Sequence, residues 1–294
     1  MNHIKTIAQE LGLNEKAVEA AVNLIDEGNT IPFIARYRKE ATGSMDDQVL
    51  RKLGERLDYL RGLDKRRDEV KRSIEEQGAM TEELAQKLEA AETLARLEDL
   101  YRPYRPKRKT RASVARARGL APLAELLLAQ NSGTDPEKAA ADYLSGEVPD
   151  TAAALAGARD ILAEQFSDDA ALRQELRELY QRTALLASKA ADAEKESVYE
   201  QYYDYAEPVS KVAGHRILAV DRGEREGFLK VSIQAESEQA AALLRRRFVR
   251  AVGGPSAAQV TLAAQDAYDR LLHPSLEREL RSELTARAAE GAIA

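Results

Sequence analysis

The feature that most constrains this chain is a long charged stretch in which leucines recur every three or four positions. The stretch begins after Gly43-Ser44 and ends near Gly78. Its recurring leucines are Leu50, Leu53, Leu57 and Leu60. This spacing places them on one face of an α-helix that must pack against other elements. Because no strict heptad persists over several turns, an antiparallel bundle is favoured over a free coiled coil.

Helical signals also dominate the residues on both sides of this stretch. Gly12 and Gly28 are expected to end two short helices, and Asn14 to cap the second, which gives a helix-turn-helix outline. Pro32 lies in the first turn of a third helix. Further helices are predicted over residues 81–97, 121–129, 137–144, 151–166 and 170–196.

The pattern changes after Tyr205. Residues 217–220 and 228–233 are runs of strand-forming side chains separated by a polar, glycine-containing segment, which predicts a hairpin with a longer loop. Helices are expected from residue 238 to the end, interrupted at Gly253-Gly254-Pro255. The tyrosines of the preceding segment, from Tyr199 to Tyr205, are interpreted as packing residues.

These signals predict a mainly α protein. A multi-helix N-terminal region with helix-turn-helix character is expected over residues 1–205, followed by a small mixed α/β region with a short strand pair over 206–294. The composition agrees, because only 5% of residues are aromatic and 32% are charged. The chain has no cysteine, no apparent signal peptide and no uncharged run long enough to cross a bilayer. We therefore expect a cytoplasmic location and no membrane association.

Positive charge is concentrated in one segment of an acidic chain. The net charge is −6, yet eight Arg and Lys residues lie between Arg102 and Arg118, and no acid follows them before Glu125. Pro103 and Pro106 prevent a continuous helix there. The candidate nucleic-acid-binding residues are Tyr101, Arg102, Tyr104, Arg105, Lys107, Arg108, Lys109 and Arg111.

Two interpretations of this basic segment remain open. Its cations suit phosphate groups, and its tyrosines could stack on unpaired bases. Alternatively, it is a solvated loop whose arginines pair with neighbouring acids and whose tyrosines pack on the bundle. A second cluster, Arg36-Tyr37-Arg38-Lys39-Glu40, is interpreted as an exposed helix face. The acidic second helix is assigned to structural or protein contacts, because Glu15, Glu19, Asp26 and Glu27 oppose only Lys16 there.

The sequence offers no constellation for catalysis. His3, His215 and His273 are scattered without metal-ligand spacing, and no glycine-rich phosphate loop or nucleophile turn occurs. We therefore predict a non-enzymatic chain with no catalytic residues, no metal site and no cofactor.

Four separated stretches resemble the Tex family of bacterial RNA-binding transcription accessory proteins. They are residues 29–43 (NTIPFIARYRKEATG), 97–111 (LEDLYRPYRPKRKTR), 215–224 (HRILAVDRGE) and 271–280 (LLHPSLEREL). The resemblance implies a helical N-terminal region and a central region. In the family these precede an RNase H-like domain, a helix-hairpin-helix domain and an OB-fold RNA-binding domain. On that domain order, the sequence is expected to be a fragment ending before the RNase H-like domain.

Two functions follow as expectations. The first is a scaffold and nucleic-acid-binding portion of a transcription accessory factor, with RNA or another single strand as its partner. The second is a protein-interaction module that docks on RNA polymerase, the ribosome or the remaining domains of the full-length protein without binding nucleic acid. Strongly salt-dependent RNA binding would favour the first function.

Overall fold

The computed structural model describes residues 2–250 and 254–293 of the 294-residue chain. The described chain is mainly α-helical and contains one small antiparallel sheet of three strands. None of its helices is both long and apolar enough to span a membrane. Backbone contacts divide the chain after Tyr104 into two compact units. We term residues up to Tyr104 unit 1 and residues from Arg105 unit 2.

Unit 1 consists of six helices and a closing turn. They are α1 (His3–Leu11), α2 (Glu15–Asp26), α3 (Ile31–Tyr37), α4 (Asp47–Glu76), α5 (Glu82–Glu89), α6 (Leu94–Tyr101) and a 3₁₀ turn (Arg102–Tyr104). The predicted signals at the first two helices are confirmed. Gly12 adopts a left-handed conformation with φ 65° directly after α1, and the Asn14 side chain accepts hydrogen bonds from the backbone of Lys16 and Ala17 in α2. The single helix predicted over 81–97 is wrong, because Thr93 caps a separate α6.

The core of unit 1 lies along the leucine face of α4. Its N-terminal half packs against α1, α2 and α3 through fully buried side chains that include Ile7, Val18, Ile34, Leu50 and Leu53. The C-terminal half of α4 packs against α5 and α6. The long leucine-spaced helix predicted from the sequence is therefore confirmed, with the other helices of the unit as its partners.

Arg67 is buried in this C-terminal half and ties α4 to the end of α5. Its side chain is only 4% exposed. The guanidinium donates to the carbonyl oxygens of Leu88 at 3.0 Å and Ala91 at 2.9 Å, and it pairs with Asp64. A buried cation of this kind is tolerated because each of its three nitrogens donates to a partner.

Unit 2 is arranged around the helix α10 (Thr151–Ser167). The other helices are α7 (Arg111–Ala117), α8 (Ala121–Ala129), α9 (Pro136–Ala141), α11 (Ala170–Thr183), α12 (Gly214–Arg225), α13 (Ser237–Phe248), α14 (Gly254–Asp266) and α15 (His273–Ile293). α10 contacts α7, α8, α9 and α14, and its buried side chains include Leu155, Leu162 and Phe166. A π-helical turn (Ala267–Leu272) joins α14 to α15 just before Pro274, which has no N–H to donate.

The sheet corrects the predicted hairpin. Its strands are β1 (Leu185–Ala190), β2 (Asp204–Pro208) and β3 (Leu229–Gln234), and β1 lies in the centre with antiparallel neighbours on both sides. Leu186 pairs with Glu207 of β2 and with Ile233 of β3. The predicted strand at residues 217–220 is wrong, because these residues lie in α12 with Ile217 and Val220 buried on one helix face. Periodicity alone does not separate a short apolar run in a buried helix from a strand.

Strand β1 corrects a second prediction. A helix was expected over residues 170–196, but α11 ends at Thr183 and the chain continues in extended conformation from Ala184. Tyr199 and Tyr202 follow β1 and are buried against Val220 and Leu229, which confirms their predicted packing role.

The contact units do not coincide with the predicted regions 1–205 and 206–294. Residue 205 lies within unit 2, because β1 is hydrogen-bonded to β3 and α10 packs against α14. The change after Tyr205 is therefore a change of secondary structure inside one compact unit.

Candidate nucleic-acid interface

The basic segment runs from the end of unit 1 into the start of unit 2. Tyr101 ends α6, the 3₁₀ turn holds Arg102–Tyr104, and residues 105–110 form a loop that leads into α7. Thr110 and Ser113 form a capping box at the start of α7. The chain divides after Tyr104, so the candidate residues belong to two groups, three in unit 1 and five in unit 2.

In unit 1, Tyr101 is a packing residue. It is only 7% exposed, its hydroxyl lies 3.0 Å from the Ser73 Oγ, and the Arg66 guanidinium lies 5.4 Å from its ring centroid. A ring buried in this way has no open face on which a base could stack. Arg102 and Tyr104 are half-buried, and the Tyr104 carbonyl accepts a 2.9 Å hydrogen bond from Gln77.

In unit 2, Lys107 lies next to two acids, Glu164 of α10 and Asp168 directly after that helix. Its Nζ pairs with Asp168 and lies 3.4 Å from Glu164. The same Glu164 accepts from Arg116 at 2.8 Å and from the Thr110 hydroxyl at 2.9 Å. Burial would raise the pKa of Glu164, but the Arg116 hydrogen bond, the Lys107 charge and the Thr110 hydrogen bond together hold that pKa below its ordinary value. Glu164 therefore neutralises part of the basic segment.

Three candidate cations remain available to a ligand. Arg108, Lys109 and Arg111 are exposed, and none of them forms an ion pair with a carboxylate in the described parts of the chain. Arg105 is exposed as well. The basic segment in unit 2 thus contains a lysine paired with acids, Lys107, and three exposed cations without an ion pair among the described residues, Arg108, Lys109 and Arg111.

Lys109 and Arg111 line a groove between α7 and α10. The groove has a volume of about 490 Å³, and Arg118 adds a third cation, which lies 3.8 Å from Glu147. Asp160 also lines it and lies 3.3 Å from Arg270. Burial raises the pKa of Asp160 despite the opposing effect of Arg270.

Small residues let α7 and α10 approach closely beside this groove. A Cβ atom at Gly157 would lie 2.4 Å from Leu120 Cδ1 and 3.4 Å from the Ala115 Cβ. A side chain at position 157 would therefore displace the Leu120 side chain, and the small residues Ala153, Ala156 and Gly157 of α10 line the groove. The contribution of α10 to the groove could not be seen in the sequence, because its residues lie about 40 to 50 positions after the basic loop.

Each histidine has its own surroundings. His3 Nε2 lies 2.6 Å from an Asp64 carboxylate oxygen, and His273 Nδ1 lies 2.7 Å from the Tyr180 hydroxyl, whereas His215 is exposed on α12. Among the described residues no three His, Asp or Glu side chains are placed to hold a metal ion. The predicted absence of catalysis and of cofactors stays a prediction.

The chain matches two family models. A model described as Tex-like protein N-terminal domain matches residues 1–75, and one described as Tex central region-like matches residues 131–294. The second match covers more than half of the chain and begins well before residue 206, where the central region was predicted to start.

Named relatives agree with these matches. The chain is 43% identical over 294 residues to the uncharacterised protein YdcI of Bacillus subtilis, with 98% of this chain and 41% of that protein covered. It is 46% identical over 243 residues to transcriptional accessory protein Tex of Neisseria gonorrhoeae, covering 81% of this chain and 32% of that protein. It is 26% identical over 308 residues to human S1 RNA-binding domain-containing protein 1, covering 99% of this chain and 31% of that protein. The chain spans less than half the length of each relative, and it belongs to the Tex family.

Proposed function

We propose that this chain is the nucleic-acid-binding N-terminal portion of a transcription accessory factor, with single-stranded RNA as its foremost ligand. A transcription-related role is supported by the relative named transcriptional accessory protein Tex. One relative carries RNA binding in its name. The observation that carries the proposal is the exposed run of Arg108, Lys109 and Arg111, none of which forms an ion pair among the described residues, beside a groove between two helices.

The chemistry of this run suits phosphate rather than base recognition. Two guanidinium groups and one ammonium group can each contact a phosphate, and guanidinium can do so bidentately. Aromatic rings are absent from the groove lining. We therefore expect contacts to the backbone of a strand, with little sequence preference and a steep dependence on salt.

Fluorescence anisotropy with a labelled 15-nucleotide oligouridylate tests the proposal. The variant R108A/K109A/R111A removes the three solvent-facing cations and leaves the Lys107–Glu164 contact in place. It should bind more weakly, and the slope of log K against log salt should flatten by about 2, since each single-strand phosphate contact contributes about 0.7.

A matched control has the same change in net charge. K138A/K211A/K230A removes three exposed lysines of unit 2 that lie outside the groove. This control should bind like the parent chain. Equal losses in both variants would mean that net charge alone governs binding, and parental binding by R108A/K109A/R111A would refute the proposed interface.

The alternative is a protein-interaction module that docks on RNA polymerase, the ribosome or other domains of a longer protein. The observation that favours it is the acidic surface of α2, where Glu15 and Glu19 are exposed and make no ion pair with any described residue. Such a surface repels phosphate and suits a basic protein partner. If the parent chain binds no oligonucleotide at low salt, this alternative replaces the first proposal.

A further inference from the structure

A second surface, on unit 1, combines exposed aromatic rings with unpaired cations. Phe33 and Tyr37 project from α3 and are 37% and 60% exposed, although the same helix buries Ile34 completely. Their ring centroids lie 5.2 Å apart at an interplanar angle of 46°. The Tyr37 hydroxyl has no hydrogen-bond partner among the described residues. The sequence interpretation of this cluster as a plain exposed helix face left these rings unexplained.

Three exposed cations adjoin the rings in the sequence. Arg36, Arg38 and Lys39 are exposed, and no described carboxylate lies within ion-pair distance of any of them. The Arg38 guanidinium carbon lies 5.4 Å from the Phe33 ring centroid, a cation–π arrangement. We term Phe33, Arg36, Tyr37, Arg38 and Lys39 the α3 patch.

The backbone that carries the patch is held in a defined turn. The Thr42 hydroxyl donates to the Arg38 carbonyl at 3.1 Å, and the Ser44 N–H donates to the Lys39 carbonyl at 2.8 Å. Thr42 is completely buried. Gly43 and Ser44 both adopt positive φ, which reverses the chain before α4. The cations of the patch therefore extend from an ordered turn rather than from a loose tail.

Charge and ring chemistry together favour one class of occupant. A partner that covers this patch must supply negative charge to three cations and a flat face to Tyr37. A single-stranded nucleic acid supplies both, because its phosphates are anionic and each unpaired base has a π-face. A duplex supplies only the phosphates, because its bases are already stacked and paired.

We propose that the α3 patch binds single-stranded nucleic acid, with a base stacked on Tyr37 and the flanking phosphates contacted by Arg36, Arg38 and Lys39. This surface shares no residue with the basic segment. It would add base stacking to the phosphate contacts proposed for the groove. It shares the ligand class of the proposed function but none of its residues.

The test compares variants of the full 294-residue chain for binding of the labelled 15-nucleotide oligouridylate and of a duplex of equal length. Y37A should raise the Kd for the single strand by about 5-fold to 150-fold, the effect of losing one stacked base. Y37F should bind nearly like the parent, because it keeps the ring. Duplex binding should change little in either variant. Circular dichroism confirms the fold of each variant first.

The cations have their own variant and control. R36A/R38A/K39A should weaken single-strand binding and flatten the salt slope by about 2. K5A/K52A/K65A removes three exposed lysines from α1 and α4 of the same unit and should bind like the parent. Equal losses in the two triple variants would overturn the inference.

Cross-linking locates the contact without relying on affinity. An oligonucleotide carrying 4-thiouridine is irradiated with the parent chain, and the protein is then cleaved at glutamates, which releases residues 28–40 as one peptide. A cross-link in this peptide that Y37A loses supports the proposal. An unmodified 28–40 peptide, parental binding by Y37A and R36A/R38A/K39A, or no binding by the parent overturns it. If R108A/K109A/R111A binds like the parent while Y37A and R36A/R38A/K39A bind more weakly, the groove proposal fails and the proposal for the α3 patch is supported.

Discussion

Replacing Glu164 by Gln should weaken the fold slightly and strengthen nucleic-acid binding. Glu164 is the acid that Arg116, Lys107 and Thr110 share beside the basic segment. Glutamine keeps an oxygen acceptor of the same size but removes the negative charge. Lys107 retains Asp168 as a partner, whereas Arg116 forms no other ion pair among the described residues and gains freedom to contact a phosphate.

The two magnitudes follow from these contacts. A hydrogen bond to a charged acceptor contributes about 1 kcal/mol more than one to a neutral acceptor, so E164Q should lower the free energy of unfolding by about 1 kcal/mol. One additional phosphate contact steepens the single-strand salt slope by about 0.7. At 0.1 M salt this corresponds to about fivefold tighter binding, because the electrostatic contribution extrapolates to zero near 1 M.

The matched control is E175Q. Glu175 lies 3.3 Å from Arg247 and 3.5 Å from Arg246, so this variant also removes one acid and the ion pair of Arg246, while Arg247 keeps Asp169 as a partner. None of these residues lines the groove. Anisotropy titrations at three salt concentrations compare the parent, E164Q and E175Q. If E164Q binds the oligonucleotide more tightly than the parent and E175Q does not, the result supports an interface close to Glu164. Unchanged binding by E164Q, or equal gains in both variants, would refute the reasoning.

The stability effect of E164Q should depend on pH. The pKa of Glu164 is lowered in the folded chain from its ordinary value of 4.5, so its stabilising contribution is fully present above that value. It is lost as the pH falls through the lowered pKa, when the folded state binds the proton. The difference in unfolding free energy between parent and E164Q should therefore be complete at pH 7 and shrink below about pH 4.5.

Two further predictions concern α4 and the end of unit 1. Arg67→Met should lower the unfolding free energy by about 2–4 kcal/mol, because it removes three hydrogen bonds of a buried cation and leaves the Ala91 carbonyl oxygen without its donor. Arg61→Met, on the same helix, removes an exposed pair with Asp26 and should cost less than about 1 kcal/mol; urea unfolding followed by circular dichroism measures both. Tyr104→Ala should weaken single-strand binding by about 1–3 kcal/mol in anisotropy titrations if its half-buried ring stacks on a base, and parental binding would remove Tyr104 from the interface.

The helices of unit 1 were predictable because their signals are local. Gly12 and Asn14 mark a helix end and a helix start within three residues, and the leucines of α4 repeat over several turns. The sheet was not predictable for the opposite reason. The segment Leu185–Ala190 has no strong strand preference, and its extended conformation depends on pairing with β2 and β3, which lie up to 49 residues away.

The same distinction applies to the interface. The run of cations is visible in the sequence, but its neutralisation by Glu164 and Asp168 depends on the packing of α7 against α10. The burial of Tyr101 likewise depends on Ser73 and Arg66 of α4. Residue type therefore predicted where the basic segment lies, and only the folded chain divides it into packed, paired and available side chains.

Net charge is a poor guide to binding in this chain because its charges are separated by surface. The chain as a whole carries −6, but Coulomb interactions between exposed groups fade over about 8 Å at physiological ionic strength. A phosphate at Lys109 and Arg111 therefore responds chiefly to Arg118, Asp160 and the other groups lining the groove. The sum of charges sets long-range attraction or repulsion, whereas these nearby groups decide whether a strand stays bound. A chain with a negative net charge can therefore carry a local cationic site. The condition is that the acids near the site are few and, like Glu164, already paired with other cations.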